Sequence, residues 1–143
     1  MKVSEAMTRD ARITMPDHTI QQAAQVMAEI DAGFLPVGDN DRLIGMITDR
    51  DIAVRAVAAG KGPQTKVRDV MTLDVRYCFE DEDLRAVTKN MGEQQVRRLP
   101  VVNRDKRLVG VLSLADVAKQ GSNGAAARAL GKIAQPGGQH TQT

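Results

Sequence analysis

Residues 43–51 read Leu43-Ile44-Gly45-Met46-Ile47-Thr48-Asp49-Arg50-Asp51, and residues 108–116 read Leu108-Val109-Gly110-Val111-Leu112-Ser113-Leu114-Ala115-Asp116. Both are an apolar run around a glycine, then a hydroxyl, two further residues and an aspartate. An apolar run without clean alternation fits a strand covered on both faces. A hydroxyl followed three residues later by a carboxylate marks a helix start. Each stretch therefore predicts a strand that passes directly into a helix. The match extends outward. Residues 3–55 carry Val3, Met7-Thr8, Asp10, Arg12, Asp17, Met27, Glu29 and Leu35-Pro36-Val37. Residues 67–119 answer with Val67, Met71-Thr72, Asp74, Arg76, Asp81, Met91, Glu93 and Leu99-Pro100-Val101. The offset is 64 residues as far as the proline strand and 65 beyond it, so one residue is inserted in a turn. Similarity at a fixed period means one supersecondary unit used repeatedly, each copy burying a face against its neighbour.

A chain of 143 residues predicts a single domain. A repeat of this size is marginal by itself, because small folds bury too little surface. The two halves are therefore expected to form one α/β (α+β) module, with repeat 1 over residues 3–60, repeat 2 over 61–120, and a linker with a mostly flexible tail over 121–143. With 20 Lys and Arg against 18 Asp and Glu, the net charge of +2 gives no strong nucleic-acid footprint. Only three aromatic residues are present, too few for a base-stacking platform. The opening Met1–Asp10 has no apolar h-region, no run of 18 apolar residues exists, and the single Cys78 has no partner for an internal disulfide. A soluble, cytoplasmic protein without a membrane partner is the expectation.

Within each copy the order is strand, helix, strand, strand, helix. Arg12 to Met15 predicts a short strand ended by Pro16-Asp17, and Thr19 with Gln22 has capping-box spacing. Ile20, Ala23, Ala24, Met27 and Ile30 follow at helical spacing, and Gly33 is the expected stop. Phe34 to Val37 and Leu43 to Thr48 predict a hairpin around Gly38-Asp39-Asn40-Asp41. Asp49 to Ala59 follows as a helix. The second copy predicts a strand at Arg76 to Phe79, a helix from Asp83, a hairpin of Arg98–Val102 with Leu108–Ser113, and a helix from Leu114. Ala125 to Ile133 has the composition of a short further helix, and residues 136–143 that of a frayed end.

The two Gly-apolar-apolar-hydroxyl-x-x-Asp segments carry the chemistry. A helix start offers unpaired N–H groups that suit a phosphate, and a Thr48 or Ser113 hydroxyl adds a donor. One turn later, ionised Asp51 or Asp116 offers two acceptor oxygens, which match the adjacent hydroxyls of a ribose. The same Thr/Ser-x-x-Asp spacing is also a capping box, which stabilises a helix with or without a ligand. The two readings are compatible. Cys78 lies in a predicted strand and reads as a buried small apolar residue. His18 and His140 are far apart, and no metal-ligand spacing or nucleophile–base arrangement is present. Apolar residues off the main stripe, Val26, Ile52 and Val57, suggest a second packing surface.

Paired copies with Met-Thr at the start, Leu-Pro-Val in the middle and Gly-x-x-Thr/Ser-x-x-Asp near the end resemble a tandem CBS-domain pair, or Bateman module, across residues 3–119. Size and the Thr48-Asp49-Arg50-Asp51 string are similar to small stand-alone bacterial CBS-pair proteins of the hypoxic response protein type. The resemblance implies two βαββα repeats packed sheet against sheet, with adenosyl ligands such as AMP, ADP, ATP, NAD or S-adenosylmethionine in the clefts between them. By motif, Asp51 and Asp116 would hold ribose hydroxyls, and Thr48 and Ser113 would face phosphate. Adenine would lie near the backbone of Arg12-Ile13 and Arg76-Tyr77 and beside Ala32-Gly33 and Val96-Arg97, with apolar contact from Met46 and Val111. Pro36, Pro100, Arg50 and Ala115 complete the set. The copies differ at Gly33 against Arg97 and Asp49 against Leu114, which predicts unequal sites, with AMP or NAD favoured over ATP. The resemblance also implies a homodimer and an effector protein that reads the ligand state. No catalytic cofactor is expected and the chain is read as non-enzymatic. The alternatives are a ligand-free structural or protein-interaction module and, more remotely, a DNA-associated regulator.

Overall fold

The local signals fold as their chemistry dictates. Thr19 Oγ1 accepts the Gln22 N–H at 3.1 Å, and Gln22 Oε1 accepts the Thr19 N–H at 2.9 Å, so the predicted capping box closes. Asp83 caps the matching helix of the second copy, its Oδ2 accepting the Ala86 N–H at 3.1 Å. The computed structural model describes residues 1–121 and 123–135. In chain order the first elements are α1 (Val3–Ala6), β1 (Thr8–Arg9), α2 (Ile20–Ile30), β2 (Phe34–Asp39), β3 (Arg42–Thr48) and α3 (Asp49–Asp51), which runs on as a π-helical turn over Ile52–Val57. A 3₁₀ turn at Val67–Asp69 follows. Then come β4 (Cys78–Phe79), α4 (Leu84–Gln94), β5 (Arg98–Val102), β6 (Leu108–Ser113), α5 (Leu114–Lys119) and α6 (Asn123–Ile133). The mixture of helices with sheets is the α+β class expected.

Packing divides the chain differently from the sequence repeats. One compact unit is Arg12–Val75; the other joins Met1–Ala11 to the chain from Arg76 onward. Each has its own core. The Arg12–Val75 unit buries Ile20, Ala23 and Met27 of α2 against Leu35, Val37 and Ile47 of the hairpin, and Val67 and Val70 close it. The other unit packs Val3, Ala6 and Met7 among Leu84, Val87, Met91, Leu99, Val101 and Leu112. The opening Val-to-Met-Thr segment of each copy thus belongs to the unit built on the other copy. Repeats 3–60 and 61–120 are units of sequence, and the packed units exchange these segments.

The exchanged segments lie along the hairpins. In the Arg12–Val75 unit, β2 pairs antiparallel with β3, and Thr72 bridges Met46 on the far edge. In the other, the order is β1-β6-β5-β4, with Thr8 opposite Val111 and Arg9 opposite Gly110. The strand glycines make room for this approach. A Cβ at Gly110 would lie 2.6 Å from the Thr8 carbonyl oxygen, and one at Gly45 would lie 3.0 Å from that of Thr72. Met71 and Met7 sulfurs sit beside the same two glycines.

Several expectations change. The helix stop is not Gly33: Asp31 takes the left-handed conformation at φ 53°, and Gln95 does so at φ 59° after α4. The short polar side chain of Asp31 tolerates that region. Gly33 instead faces Asp49, whose carboxylate occupies the space a Cβ would need, with Cγ at 2.7 Å. The strand predicted at Arg12–Met15 reduces to one parallel bridge, Thr14 to Val37, because Pro16 has no N–H to continue a ladder. The helix predicted over Asp49–Ala59 widens after one turn, and the Ala58 N–H reaches the Ala53 carbonyl at 2.9 Å. Its β-branched Ile52, Val54 and Val57 are weak α-helix formers. Ala24 and Ile30 of the α2 stripe are exposed.

The segment read as linker and tail is instead partly structural. Helix α6 buries Ala126, Ala129 and Ile133 in the core of the second unit. Gly92 of α4 permits the contact, since a Cβ there would lie 3.0 Å from Ala129 Cα. Gln95 Nε2 donates to the Lys132 carbonyl at 3.0 Å. The frayed end expected at 136–143, with His140, lies outside the described residues. Cys78 is buried as expected, and burial pushes its thiol up to about 12. Among the described residues no helix is long and apolar enough to cross a membrane.

Candidate functional site

The two capping boxes give two matching candidate sites, one in each unit. In the Arg12–Val75 unit the site starts where β3 ends. Thr48 Oγ1 accepts the Asp51 N–H at 3.0 Å, and Asp51 Oδ2 accepts the Thr48 N–H at 3.0 Å. The Asp49 N–H donates to the Gly33 carbonyl at 3.0 Å, which ties the helix start to the beginning of β2. The Arg50 N–H donates to Asp49 Oδ1 at 2.8 Å and holds that carboxylate against Gly33. Ala32 lies beside it, its N–H on the Met27 carbonyl at 3.1 Å. Pro36 pairs with Met46 on the sheet face opposite Leu35, Val37 and Ile47. Ile13 reaches the same hairpin, its Cδ1 3.3 Å from where a Gly38 Cβ would be. Arg12 turns its guanidinium to Glu29 on α2 at 3.2 Å.

The second unit repeats the arrangement. Ser113 Oγ accepts the Asp116 N–H at 3.1 Å, and Asp116 Oδ2 accepts the Ser113 N–H at 3.0 Å. The Leu114 N–H donates to the Arg97 carbonyl at 3.1 Å, as Asp49 does to Gly33. Pro100, Val111 and Thr8 form one row across β5, β6 and β1, and Arg98 pairs with Ser113 two residues along, on the same face. Arg76 spends its guanidinium on the Gln94 carbonyl at 3.0 Å, capping α4. Tyr77 is 41% exposed and sets its ring edge against Phe79, with centroids 5.7 Å apart. Val96 sits at the α4 exit with its N–H on the Met91 carbonyl, and Ala115 is exposed on the first turn of α5.

Both boxes therefore cap helices, and both leave chemistry over. Each aspartate commits Oδ2 to the cap and keeps Oδ1 as an acceptor. Each hydroxyl accepts an N–H and still has its own proton to donate. One polar group joins the second site that the motif alone does not indicate. The Thr8 hydroxyl lies 3.4 Å from both Asp116 carboxylate oxygens, across 108 residues of sequence. Its signal was present in the repeated Met-Thr, but nothing local says whose aspartate it meets. Among the described residues, no group of three or more His, Cys, Asp or Glu side chains could hold a metal ion.

The family model for the CBS domain matches this chain twice, over residues 3–57 and 67–123. The CBS domain-containing protein YhcV of Bacillus subtilis is 39% identical over 132 residues, covering 92% of this chain and 94% of the relative. The crystal structure of Hypoxic Response Protein I with two coordinated zinc ions superposes with a TM-score of 0.75 at 36% identity, covering 83% of this chain and 98% of that one. The CBS domain pair of MJ0100, in complex with 5′-methylthioadenosine and S-adenosyl-L-methionine, gives a TM-score of 0.71 at 26% identity over 87% of this chain and 98% of that one. The doubled motif, the hairpin-and-helix repeat and these matches agree: the chain belongs to the CBS-domain family, as a tandem pair.

Proposed function

We propose that this chain is a non-enzymatic regulatory module that senses an adenosyl ligand, with one site on each unit. The observation that carries the reading is the spare valence of the two capping boxes. Asp51 keeps a carboxylate oxygen, Asp116 keeps one met only by the long Thr8 contact at 3.4 Å, and Thr48 and Ser113 each keep a hydroxyl proton, beside the Pro36–Met46 and Pro100–Val111 pairs. A carboxylate oxygen suits a ribose diol, the hydroxyl proton suits the 5′ substituent, and the apolar pairs suit a flat base. The MJ0100 pair, similar in fold and sequence, is complexed with two such adenosyl compounds. AMP, ADP, ATP, NAD and S-adenosylmethionine are the ligands to try, AMP and NAD first. Ligand binding would act through its differential affinity for two states of the protein. A cytoplasmic setting, a homodimer and a downstream effector protein belong to the same proposal. Exposed Val54 and Val57, on the π-helical turn, are the apolar surface that supports the dimer.

The competing reading is a structural module in which the boxes only cap, and the closed geometry of both boxes is the observation behind it. Thermal melting separates the two. A ligand at about a hundredfold its Kd stabilises by roughly 2.7 kcal/mol, a rise of several degrees. Asp51→Ala and Asp116→Ala should each remove the shift at one site, while both lose about 1 kcal/mol of cap stability. No shift with any of the five ligands at millimolar concentration would leave capping as the whole role.

A further inference from the structure

We infer that the two sites divide adenosyl ligands by charge. The site on the unit containing β5 and β6 takes a ligand with a 5′ phosphate, and the site on the Arg12–Val75 unit takes one whose 5′ group is neutral or cationic. This inference rests on the adenosyl-ligand reading above and adds which ligand goes where.

Four pairs of matched positions, the two hydroxyls among them, would border the 5′ group, and by motif the first pair also borders adenine. In the Arg12–Val75 unit they are Gly33 and Phe34 on the strand, then Thr48 and Asp49 at the helix start. In the other they are Arg97 and Arg98, then Ser113 and Leu114. The backbone at these positions is the same: the Asp49 N–H donates to Gly33 and the Leu114 N–H to Arg97, at 3.0 and 3.1 Å. Phe34 pairs with Thr48 and Arg98 with Ser113 in equivalent registers. Only the side chains differ: these four pairs make the second unit the more positive, while the next pair, Arg50 against Ala115, puts one cation in the first unit beside Asp49.

Beside Ser113 the two strand positions are arginines, Arg97 through its carbonyl on the Leu114 N–H and Arg98 as the cross-strand partner of Ser113. Arg97 and Arg98 are both exposed, and among the described residues neither side chain makes a hydrogen bond or an ion pair. Leu114 is buried at 5% exposure and brings no charge to the surface. A guanidinium presents planar paired donors that match phosphate oxygens, and two of them flanking a hydroxyl donor form an anion-selective group. Around Thr48 the strand positions carry no cation, and the carboxylate of Asp49 stands next to Arg50. Phe34 is buried, and Asp49 holds an exposed carboxylate against Gly33 by way of the Arg50 N–H. Gly33 is what makes this possible, since any Cβ there would displace the carboxylate. A phosphate beside Thr48 would face that fixed negative charge, whereas a thioether would be indifferent and a sulfonium attracted.

The test uses equilibrium binding of AMP and 5′-methylthioadenosine to the full chain. AMP affinity should fall about tenfold or more in the double variant Arg97→Gln/Arg98→Gln, with 5′-methylthioadenosine unchanged. Asp116→Ala should abolish AMP binding alone, and Asp51→Ala should abolish 5′-methylthioadenosine binding alone. Asp49→Asn should open the first site to AMP and raise its stoichiometry from one per chain toward two. Loss of AMP in Asp51→Ala with retention in Asp116→Ala would overturn the division. So would an equal loss of both ligands in the arginine variant. If both ligands bind and neither discriminates between sites, the adenosyl reading stands and the division alone fails. If the unaltered protein binds neither, both fail together.

Discussion

At the scale of single residues, the readable chemistry was that of short spacings. Thr19 with Gln22, Thr48 with Asp51 and Ser113 with Asp116 all close as capping boxes, because a spacing of three residues at a helix start leaves little else to satisfy the free N–H groups. Glycines were harder. Gly33 looked like a helix stop, yet Asp31 takes that conformation, and Gly33 serves a carboxylate sixteen positions further on. No local pattern announces that use. Cys78 shows the opposite: its place in an apolar strand foretold burial, and burial, with Glu82 as a lesser cause, raises its thiol to about 12 from the usual 9.0. A raised folded pKa contributes stability that is complete below about pH 9 and is lost as the pH climbs toward 12. Above pH 9 the unfolded chain sheds the proton that the folded one keeps, so unfolding gains up to about 1.4 kcal/mol per pH unit. Urea unfolding between pH 8 and 11 should show this added slope, and Cys78→Ala should remove it while the other alkaline titrations remain.

At the scale of elements, hairpin β5–β6 matched the sequence reading to the residue, and β2–β3 differed only at its ends. The turn explains the first hairpin. Asn40 and Asp41 both adopt positive φ, 51° and 64°, as a two-residue turn between twisted strands requires. The second hairpin accommodates its extra residue through Asn103, whose Oδ1 accepts the Asp105 and Arg107 N–H groups at 3.0 Å each. The edges were not readable. Strand β1 lies on β6 because Gly110 leaves its backbone bare, with the Thr8 carbonyl only 2.6 Å from any added Cβ. Gly110→Ala should therefore cost about 1–3 kcal/mol, since the obstacle is main chain that cannot swing aside. Gly45→Ala should cost less, because the main-chain obstacle there, the Thr72 carbonyl, stands off at 3.0 Å and the nearest atom, the Met71 sulfur at 2.9 Å, is on a flexible side chain. Urea midpoints of the two variants measure the order, and a larger loss in Gly45→Ala would contradict it.

At the scale of the whole molecule, the repeat and the packed unit are different objects. Val3, fully buried, belongs with Leu84 and Met91, while Val67 and Val70, equally buried, belong with Ile20 and Met27. A fragment of residues 12–75 keeps its whole core and the Thr72–Met46 bridge. A fragment of 3–60 loses Val67 and Val70 and carries Val3 and Met7 with nothing to cover them. The first should unfold cooperatively in urea and at a higher midpoint than the second, by circular dichroism. Equal midpoints would mean that the exchanged segments contribute nothing. The sequence by itself determined that one unit is used twice, where its hairpins and helix starts fall, and which hydroxyl and aspartate each helix start presents. These follow from residues at most a few positions apart. Only the tertiary structure decided which Met-Thr segment lies along which hairpin, that Thr8 meets Asp116, and that α6 packs on α4 as part of the core. Both copies carry the same Met-Thr and the same strand glycine, and a strand edge offers the same N–H and C=O groups whatever its sequence. Local pattern therefore leaves that choice open, and burial of Val3, Val67 and their neighbours in two separate cores makes it.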